Sequence, residues 1–276
     1  MMQMRFRVAL CVAILLCLNA AAPAADTGKG SDTNLAQQAN NPIANMISVP
    51  FQLNANKGVG PRDQDQNVLT IQPVIPFELN QDWLLVSRWI LPLIDQPDFV
   101  KGSGRINGTG DLNAAFFFSP SSRLTGLPDE WVVGFGPGIQ APTASNSQLG
   151  SDDKWGLGPT ALAVYTKDKW VMGALISNTW SLGDGGDEIN AFLFEPFVTY
   201  NITDEWYVIS DSVITADWNA SSSERWVVPI GGGFGKTFTI GKQAVNTNLQ
   251  AYWNASDTTF GPDWNLVANF QLLFPK

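Results

Sequence analysis

Histidine does not occur anywhere in the 276 residues of this chain. Its absence excludes Ser-His and Cys-His nucleophile pairs, the usual zinc centres, and the histidine-dependent lipases and proteases. The two cysteines of the sequence, Cys11 and Cys17, both lie near its start. We therefore expect neither a disulfide scaffold nor a thiolate metal site, and no residue pattern indicates a metal or a cofactor.

Basic residues are also scarce, with 16 Lys and Arg against 25 Asp and Glu and a formal net charge of −9. An acidic balance of this kind argues against nucleic acid as a partner. After residue 25, no run approaches the roughly 20 apolar residues that a spanning helix needs. Any membrane crossing beyond that point has to be made by β-strands.

The first 25 residues have the pattern of a secretory signal peptide. Arg5 and Arg7 precede an apolar run, and small residues that suit a cleavage site come before Asp26. Leu10 and Leu16 precede the two cysteines, where a lipoprotein signal needs a small residue, so lipid anchoring is not expected. Residues 26–45 are mostly small and polar, which predicts a flexible periplasmic lead-in with at most a helical turn or two.

The strongest strand pattern lies at the end of the chain, over residues 264–274. Every second residue there, from Trp264 to Phe274, is apolar or aromatic, whereas three of the five residues between them are amides. This period of two predicts a strand about long enough for one tilted bilayer crossing. Phe270, Leu272 and Phe274 also suit the terminal assembly signal of outer-membrane barrels, although a soluble sandwich strand alternates in the same way.

Eleven further strand-like segments precede this one, and they are spread too evenly for two domains. The twelve segments are 46–54, 67–79, 83–95, 109–119, 130–141, 155–167, 170–182, 188–200, 206–217, 226–237, 243–254 and 264–274. Short connections such as 80–82, 167–169 and 201–205 largely alternate with long polar ones at 55–66, 96–108 and 142–154. We predict one transmembrane antiparallel β-barrel over residues 46–276, with the short turns in the periplasm.

Tryptophan placement supports a barrel, because amphipathic indoles concentrate where a membrane meets water. Ten of the 11 tryptophans fall at or beside a predicted strand end, and Trp89 alone falls in mid-strand. The predicted membrane girdle is Trp83, Trp131, Trp155, Trp170, Trp180, Trp206, Trp218, Trp226, Trp253 and Trp264. Prolines inside the predicted strands oppose this reading, since each removes a donor from the hydrogen-bond ladder; bulges are the expected remedy.

Four phrases of the sequence resemble a known group of bacterial proteins. They are residues 41–52, 58–61, 67–77 and 272–276, and together with the overall pattern they span nearly all of the mature chain. The chain resembles bacterial outer-membrane barrels often labelled "neuromedin U" in error, a group similar to the barrels filed under the meta pathway of phenol degradation. The resemblance implies an outer-membrane transporter and supplies no catalytic residues.

The faces opposite the apolar ones predict a polar, net acidic lumen. Its candidate residues are Arg88, Asp111, Asn113, Glu195, Asp211 and Asp217. We interpret the chain as a channel or passive transporter for small solutes and not as an enzyme, in contact with outer-membrane lipid, lipopolysaccharide and the barrel-insertion machinery. A structural barrel without transport is the alternative, and a histidine-independent enzyme is a less favoured one.

Overall fold

The computed structural model describes residues 32–99, 102, 104–151, 153–183 and 189–275. The predicted signal peptide and residues 26–31 of the predicted lead-in lie outside this part. None of the helices within it is long and apolar enough to cross a membrane.

Strands dominate the described chain. The fifteen strands are β1 Ile47–Val59, β2 Gln64–Ile71, β3 Val74–Glu78, β4 Trp83–Gln96, β5 Ile106–Thr109, β6 Leu112–Pro120, β7 Trp131–Ala141, β8 Gly156–Lys167, β9 Trp170–Ser181, β10 Asn190–Asn201, β11 Trp206–Asp211, β12 Ile214–Asp217, β13 Trp226–Ile240, β14 Gln243–Ser256 and β15 Trp264–Phe274. The helices are α1 Asp32–Ala39 and α2 Ser122–Thr125, with a 3-10 turn at Ser147–Leu149.

All strands belong to one antiparallel sheet that closes on itself. The last strand, β15, pairs with β14 on one side and with β1 on the other, where Ile47 lies opposite Phe274 and Lys57 opposite Trp264. Closure removes the free edges that an open sheet leaves unpaired. The segment pairs β2/β3, β5/β6 and β11/β12 are each one interrupted crossing, so the barrel has twelve crossings, and the predicted fold class is confirmed.

Breaks and bulges accommodate some of the prolines that opposed a barrel. Pro73 lies in the gap between β2 and β3, and both strands pair with β4 without a change of register. Its carbonyl accepts a hydrogen bond from Trp89 N–H at 3.0 Å, so the ladder continues from the partner strand. Pro229 lies at a register shift between β13 and β14. Proline is tolerated at such irregular positions because no ladder donor is required there.

Side chains alternate between the lumen and the outer face. On β15, Trp264, Leu266 and Phe270 are exposed on the outside, whereas Val267 and Gln271 are buried. Large apolar side chains are exposed on the outer face all around the barrel. Phe135 on β7 and Phe234 on β13 are examples. This is the pattern of a sheet whose outer face meets lipid.

The first hairpin is longer than the sequence predicts. Residues 55–66 were predicted as a long connection, but β1 runs to Val59 and β2 begins at Gln64. Asn56 Nδ2 donates to Gln66 Oε1 at 2.7 Å, and Lys57 forms an ion pair with Asp65. Polar side chains can pair in this way where a strand continues past the apolar band, so their polarity does not end the strand.

The connections differ between the two ends of the barrel. One end, called the turn end here, carries both ends of the barrel chain and short links such as 168–169 and 241–242. The opposite end, called the loop end, carries longer links such as 142–155. The 121–130 link, long for its end, contains the short helix α2. The predicted orientation puts the turn end in the periplasm.

Residues 32–46 fold into the turn end of the barrel. Ile43 is 2% exposed and packs in an apolar cluster with Val86 and Phe117, which point inward from the wall. Met46 and Ala39 pack against Leu273 in a second cluster. This order differs from the flexible lead-in expected from composition, because the few apolar residues of the segment bury themselves against inward-facing wall residues. We call residues 32–46 the inner segment.

Candidate functional site

The middle of the lumen contains an ion pair that bridges the barrel. Arg88 on β4 and Glu195 on β10 belong to strands that are not paired with each other. Arg88 Nη1 lies 3.3 Å from Glu195 Oε2, and Arg88 Nη2 donates to Gln72 Oε1 at 3.0 Å. Their side chains are only 16% and 13% exposed. Since charges removed from water need a partner, each of these groups holds the other in place.

Asp211 lies beside this pair. It pairs with Phe197 across the β10/β11 ladder, and Glu195 is two positions earlier on the same inward face. Such diagonal neighbours have Cα atoms roughly 7–8 Å apart. The Asp211 N–H donates to Tyr252 Oη at 2.7 Å, whereas Asp211 Oδ1 is buried and has no hydrogen-bond partner within the described residues. Two carboxylates and one guanidinium therefore share the centre of the lumen.

Cavities lie on both sides of this centre. A cavity of about 490 Å³ and another of about 270 Å³ extend toward the loop end, and one of about 120 Å³ lies between the centre and the inner segment. Arg88 and Glu195 line all three cavities. The ion pair therefore marks a constriction between a wider space on the loop side and a narrower one on the turn side.

The lumen has two unlike walls. One wall, formed by strands β13 to β2, carries amides in hydrogen-bonded series: Asn246 Nδ2 donates to Gln271 Oε1 at 3.0 Å, and Gln250 Nε2 donates to Asn248 Oδ1 at 3.0 Å. The opposite wall near the turn end is apolar, with Val86 and other side chains of the Ile43 cluster. Amides supply both donors and acceptors without net charge, so the first wall suits hydrated or hydroxyl-bearing solutes.

The Asp111 carboxylate binds the backbone of a loop. Its carboxylate accepts hydrogen bonds from the N–H groups of Thr143 and Ala144 at 3.1 Å each, from Ser151 N–H at 2.7 Å and from Gln140 Nε2 at 3.0 Å. The residue is 6% exposed. A charged acceptor with four donors orders the 142–151 connection over the loop end of the barrel.

The remaining predicted lumen residues lie farther toward the loop end. Asn113 and Asp217 both line the 490 Å³ cavity. Asp217 is exposed, and its Oδ1 accepts a hydrogen bond from Asn219 N–H at 2.9 Å. The structure therefore brings Arg88, Glu195 and Asp211 together and separates Asp111 and Asp217 from them.

Sequence reasoning missed Gln72 and Tyr252 at the centre. Gln72 is 7% exposed and holds Arg88, and Tyr252 is 3% exposed and contacts Asp211. The alternation that places Ile71 and Pro73 outside would have placed Gln72 inside, so a signal for it was present. Tyr252 lies between Ala251 and Trp253, and the same alternation applied to β14 would have found it.

Ionised groups also fix the two rims. At the loop end, Glu224 accepts hydrogen bonds from Thr259 N–H and Oγ1 at 2.7 Å each, and these bonds hold the pKa of the Glu224 carboxyl below its usual range. At the turn end, Arg123 Nε donates to Asp82 at 2.9 Å, and this hydrogen bond lowers the pKa of Asp82. Both carboxylates are therefore ionised at neutral pH and tie together segments distant in sequence.

The tryptophans lie in two rings at the ends of the strands. Trp83, Trp131, Trp170 and Trp206 begin β4, β7, β9 and β11 at the turn end. At the loop end, Trp180, Trp226, Trp253 and Trp264 lie within strands and Trp155 and Trp218 directly beside them. All of these except Trp83 and Trp226 are exposed. Their positions suit the two membrane interfaces, which remains a prediction about where the lipid lies.

The predicted assembly residues lie on β15, which closes the barrel. Phe270 and Phe274 are 41% and 38% exposed on the outer face, and Leu272 pairs with Val49 on β1 and Val245 on β14. Their recognition by insertion machinery stays a prediction. Within the described residues, no group of three or more His, Cys, Asp or Glu side chains is placed to hold a metal ion.

A closed twelve-crossing sheet with an apolar outer face and aromatic rims defines an outer-membrane β-barrel, in agreement with the predicted outer-membrane localisation. The structure is similar to that of an outer membrane channel from Pseudomonas putida F1, with a TM-score of 0.60 and 16% identity over 83% of this chain and 94% of that chain. It is also similar to the NanC porin, with a TM-score of 0.51 and 11% identity over 83% of this chain and all of that chain (100%).

These likenesses concern the fold. No family model matches the chain, and no curated protein matches it. The resemblance to the group mislabelled "neuromedin U" therefore stays a prediction, whereas the broader likeness to bacterial outer-membrane barrels is shown.

The expectation that the chain is not an enzyme is corrected. Similar structures include the outer membrane phospholipase A from Escherichia coli, with a TM-score of 0.46 and 10% identity over 83% of this chain and 92% of that chain. A fold by itself does not exclude catalysis, because function depends on the residues of a site and not on the fold that holds them.

Proposed function

We propose that this chain is an outer-membrane channel that passes small solutes passively through a polar, net acidic lumen. The observation that carries the proposal is the Arg88–Glu195 pair at mid-lumen, with cavities on both of its sides. A barrel filled only for stability has no need of a buried ion pair beside open volume. Charged groups inside a membrane barrel are typical of solute and ion paths.

The dimensions support small solutes. The cavity of about 490 Å³ on the loop side is in the range of small-molecule sites and the one of about 270 Å³ is slightly below it, whereas the 120 Å³ cavity next to the inner segment is much smaller. The inner segment and the apolar cluster around Ile43 restrict the turn end. The path is therefore narrow at rest, and a solute enters most easily from the loop side.

The charge of the wall favours neutral and cationic solutes. Glu195, Asp211, Asp217 and Glu224 line the cavities together with Arg88 and Arg225, which leaves an excess of two negative charges among these six groups. Carboxylates in a pore attract cations, and low-dielectric walls strengthen their field. Asp111 adds to this field from its position beneath the 142–151 loop.

The partners proposed for the barrel follow from the residues on its outer face. The tryptophan rings would contact outer-membrane lipid, and the loop end would meet lipopolysaccharide. Phe270, Leu272 and Phe274 would be read by the barrel-insertion machinery, and nucleic acid is not a proposed partner. The resemblance to the mislabelled "neuromedin U" group supports transport in the same way and is part of the proposal.

Liposome swelling tests this function. Vesicles that contain the folded protein should swell in isotonic solutions of small neutral solutes, and the rate should fall steeply as solute size increases. Vesicles with the same protein after heat unfolding are the control for leakage. A folded barrel that admits none of the solutes would contradict transport and favour the structural alternative, which the packed inner segment supports.

A further inference from the structure

Asp211 differs from the other acidic side chains expected in the lumen. Within the described residues, Asp111 is bound by loop N–H groups, Glu195 by Arg88, and Asp217 by Asn219 at the exposed mouth. Asp211 Oδ1 is buried and has no hydrogen-bond partner there. A buried carboxylate oxygen without a donor is costly, so something beyond these side chains is expected to compensate it.

The charges of the three ionisable groups at the centre of the lumen do not cancel. Arg88 contributes one positive charge, and Glu195 and Asp211 contribute one negative charge each when both are ionised. The guanidinium is directed to Glu195 and Gln72, so it neutralises Glu195 first. A single negative charge is left over, and it resides on Asp211.

The space around Asp211 supplies further oxygen ligands. Asp211 lines both the 120 Å³ and the 270 Å³ cavity, and Gln250, Tyr252 and Asn254 line the second one with it. The Tyr252 hydroxyl accepts the Asp211 N–H, which fixes the phenol oxygen next to the carboxylate. Hard cations prefer such carboxylate, amide and hydroxyl oxygens.

We propose that Asp211 binds a small monovalent cation, Na⁺ or K⁺, at the centre of the barrel. One net negative charge matches one monovalent cation, whereas a divalent ion would leave an excess positive charge beside the Arg88 guanidinium. An anion is disfavoured because the Arg88 guanidinium is already paired with Glu195. The binding position goes beyond the proposed transport function, since it is a property of the resting barrel whether or not solutes pass.

Thermal unfolding in detergent tests this position without requiring conduction. Intrinsic tryptophan fluorescence is followed in KCl, in NaCl and in N-methylglucamine chloride at equal concentration. The third cation carries its charge on a substituted ammonium, which oxygen ligands cannot surround as they surround a bare ion, and equal concentration keeps chloride and ionic screening constant. A ligand that binds the folded state raises its unfolding temperature, and a gain of about 2–4 °C is expected in the better of the two small-cation salts.

Three variants make the test specific. Asp211→Asn should lose the gain, because the charge and one ligand are removed. Glu195→Gln should lose it as well, because Arg88 is then free to neutralise Asp211. Asp257→Asn, the same change in the exposed loop 257–263, should keep it.

The possible results test the cation-binding position independently of the transport proposal. Equal unfolding temperatures of the wild type in all three salts, or a full gain in Asp211→Asn, would overturn the cation position. A gain that survives Glu195→Gln would overturn the charge count on which it depends. A barrel that binds the cation but admits no solutes to liposomes would contradict transport alone.

Discussion

Arg88 and Glu195 lie 107 residues apart in the chain, yet Arg88 Nη1 and Glu195 Oε2 are 3.3 Å apart across the barrel. The pair connects two strands that share no ladder hydrogen bonds, so it fixes the width of the lumen at its centre. Because Asp211 lies beside Glu195, the two partners are not equivalent. Loss of the guanidinium leaves two carboxylates together, whereas loss of Glu195 leaves one carboxylate for the guanidinium.

Arg88→Gln is therefore expected to destabilise the barrel more than Glu195→Gln. Breaking a buried pair and leaving like charges together should cost about 3–5 kcal/mol, whereas re-pairing of Arg88 with Asp211 should limit the second loss to about 1–2 kcal/mol. Unfolding by guanidinium chloride in detergent micelles measures both losses of stability. Equal losses, or a larger loss for Glu195→Gln, would contradict a shared guanidinium.

Asp111→Ala is expected to loosen the 142–151 connection without unfolding the barrel. Removal of the acceptor leaves the N–H groups of Thr143, Ala144 and Ser151 without their partner, and local opening should become easier by about 1–3 kcal/mol. Hydrogen exchange at these amides should accelerate by roughly tenfold or more. Asp257→Ala, which removes an exposed carboxylate in the separate loop 257–263, is the control. Unchanged protection in Asp111→Ala would show that other contacts hold the loop.

Phe116 and Asn113 face opposite sides of β6 and allow a direct test of the outer face. The Phe116 ring packs edge to face on Trp89, with ring centres 5.6 Å apart, whereas Asn113 lines the 490 Å³ cavity. Phe116→Arg should cost about 2–4 kcal/mol if the ring meets lipid near mid-membrane, and Asn113→Arg should cost clearly less. Folding titrations into lipid vesicles measure the two values. Similar costs would place the lipid boundary elsewhere.

Local alternation of side chains explains why most of the fold was predictable. The period of two along Trp264–Phe274 depends only on which face meets lipid, and β15 follows it residue by residue. Two features depend on contacts that no local pattern records. The strand extension to Val59 relies on the cross-strand Asn56–Gln66 bond, and the ordered inner segment relies on Ile43 entering an apolar cluster built from distant strands.

The candidate site was predictable only in part, for a related reason. Parity places Arg88, Glu195 and Asp211 on inward faces, but it does not say which of them meet across the lumen. The same rule cannot distinguish Asp211, with its unpaired Oδ1, from Asp111, whose loop partners lie 32 to 40 residues later in the chain. Pairing across the barrel is set by the closure of the whole sheet.

Deletion of residues 272–276 is expected to prevent assembly. The change removes Phe274 from the outer face and Leu273, which is 1% exposed, from its packing against Met46. It also shortens the β1/β15 ladder that closes the barrel. Truncated protein should remain in the periplasm and be degraded, as measured by the amount of heat-modifiable, protease-resistant form in outer-membrane fractions. Normal amounts of that form would show that the terminus is dispensable.

Conductance in planar bilayers across a KCl gradient tests the central claim, that the lumen is a solute path restricted at the turn end. The wild type should show small conductance steps with a reversal potential of the cation-preferring sign. Deletion of residues 32–45 should raise the conductance several-fold, because the inner segment no longer fills the lumen, and should keep the sign. Heat modifiability of both proteins controls for folding. Absence of conductance in both folded proteins, or anion preference in the wild type, would contradict a cation-preferring path through the barrel.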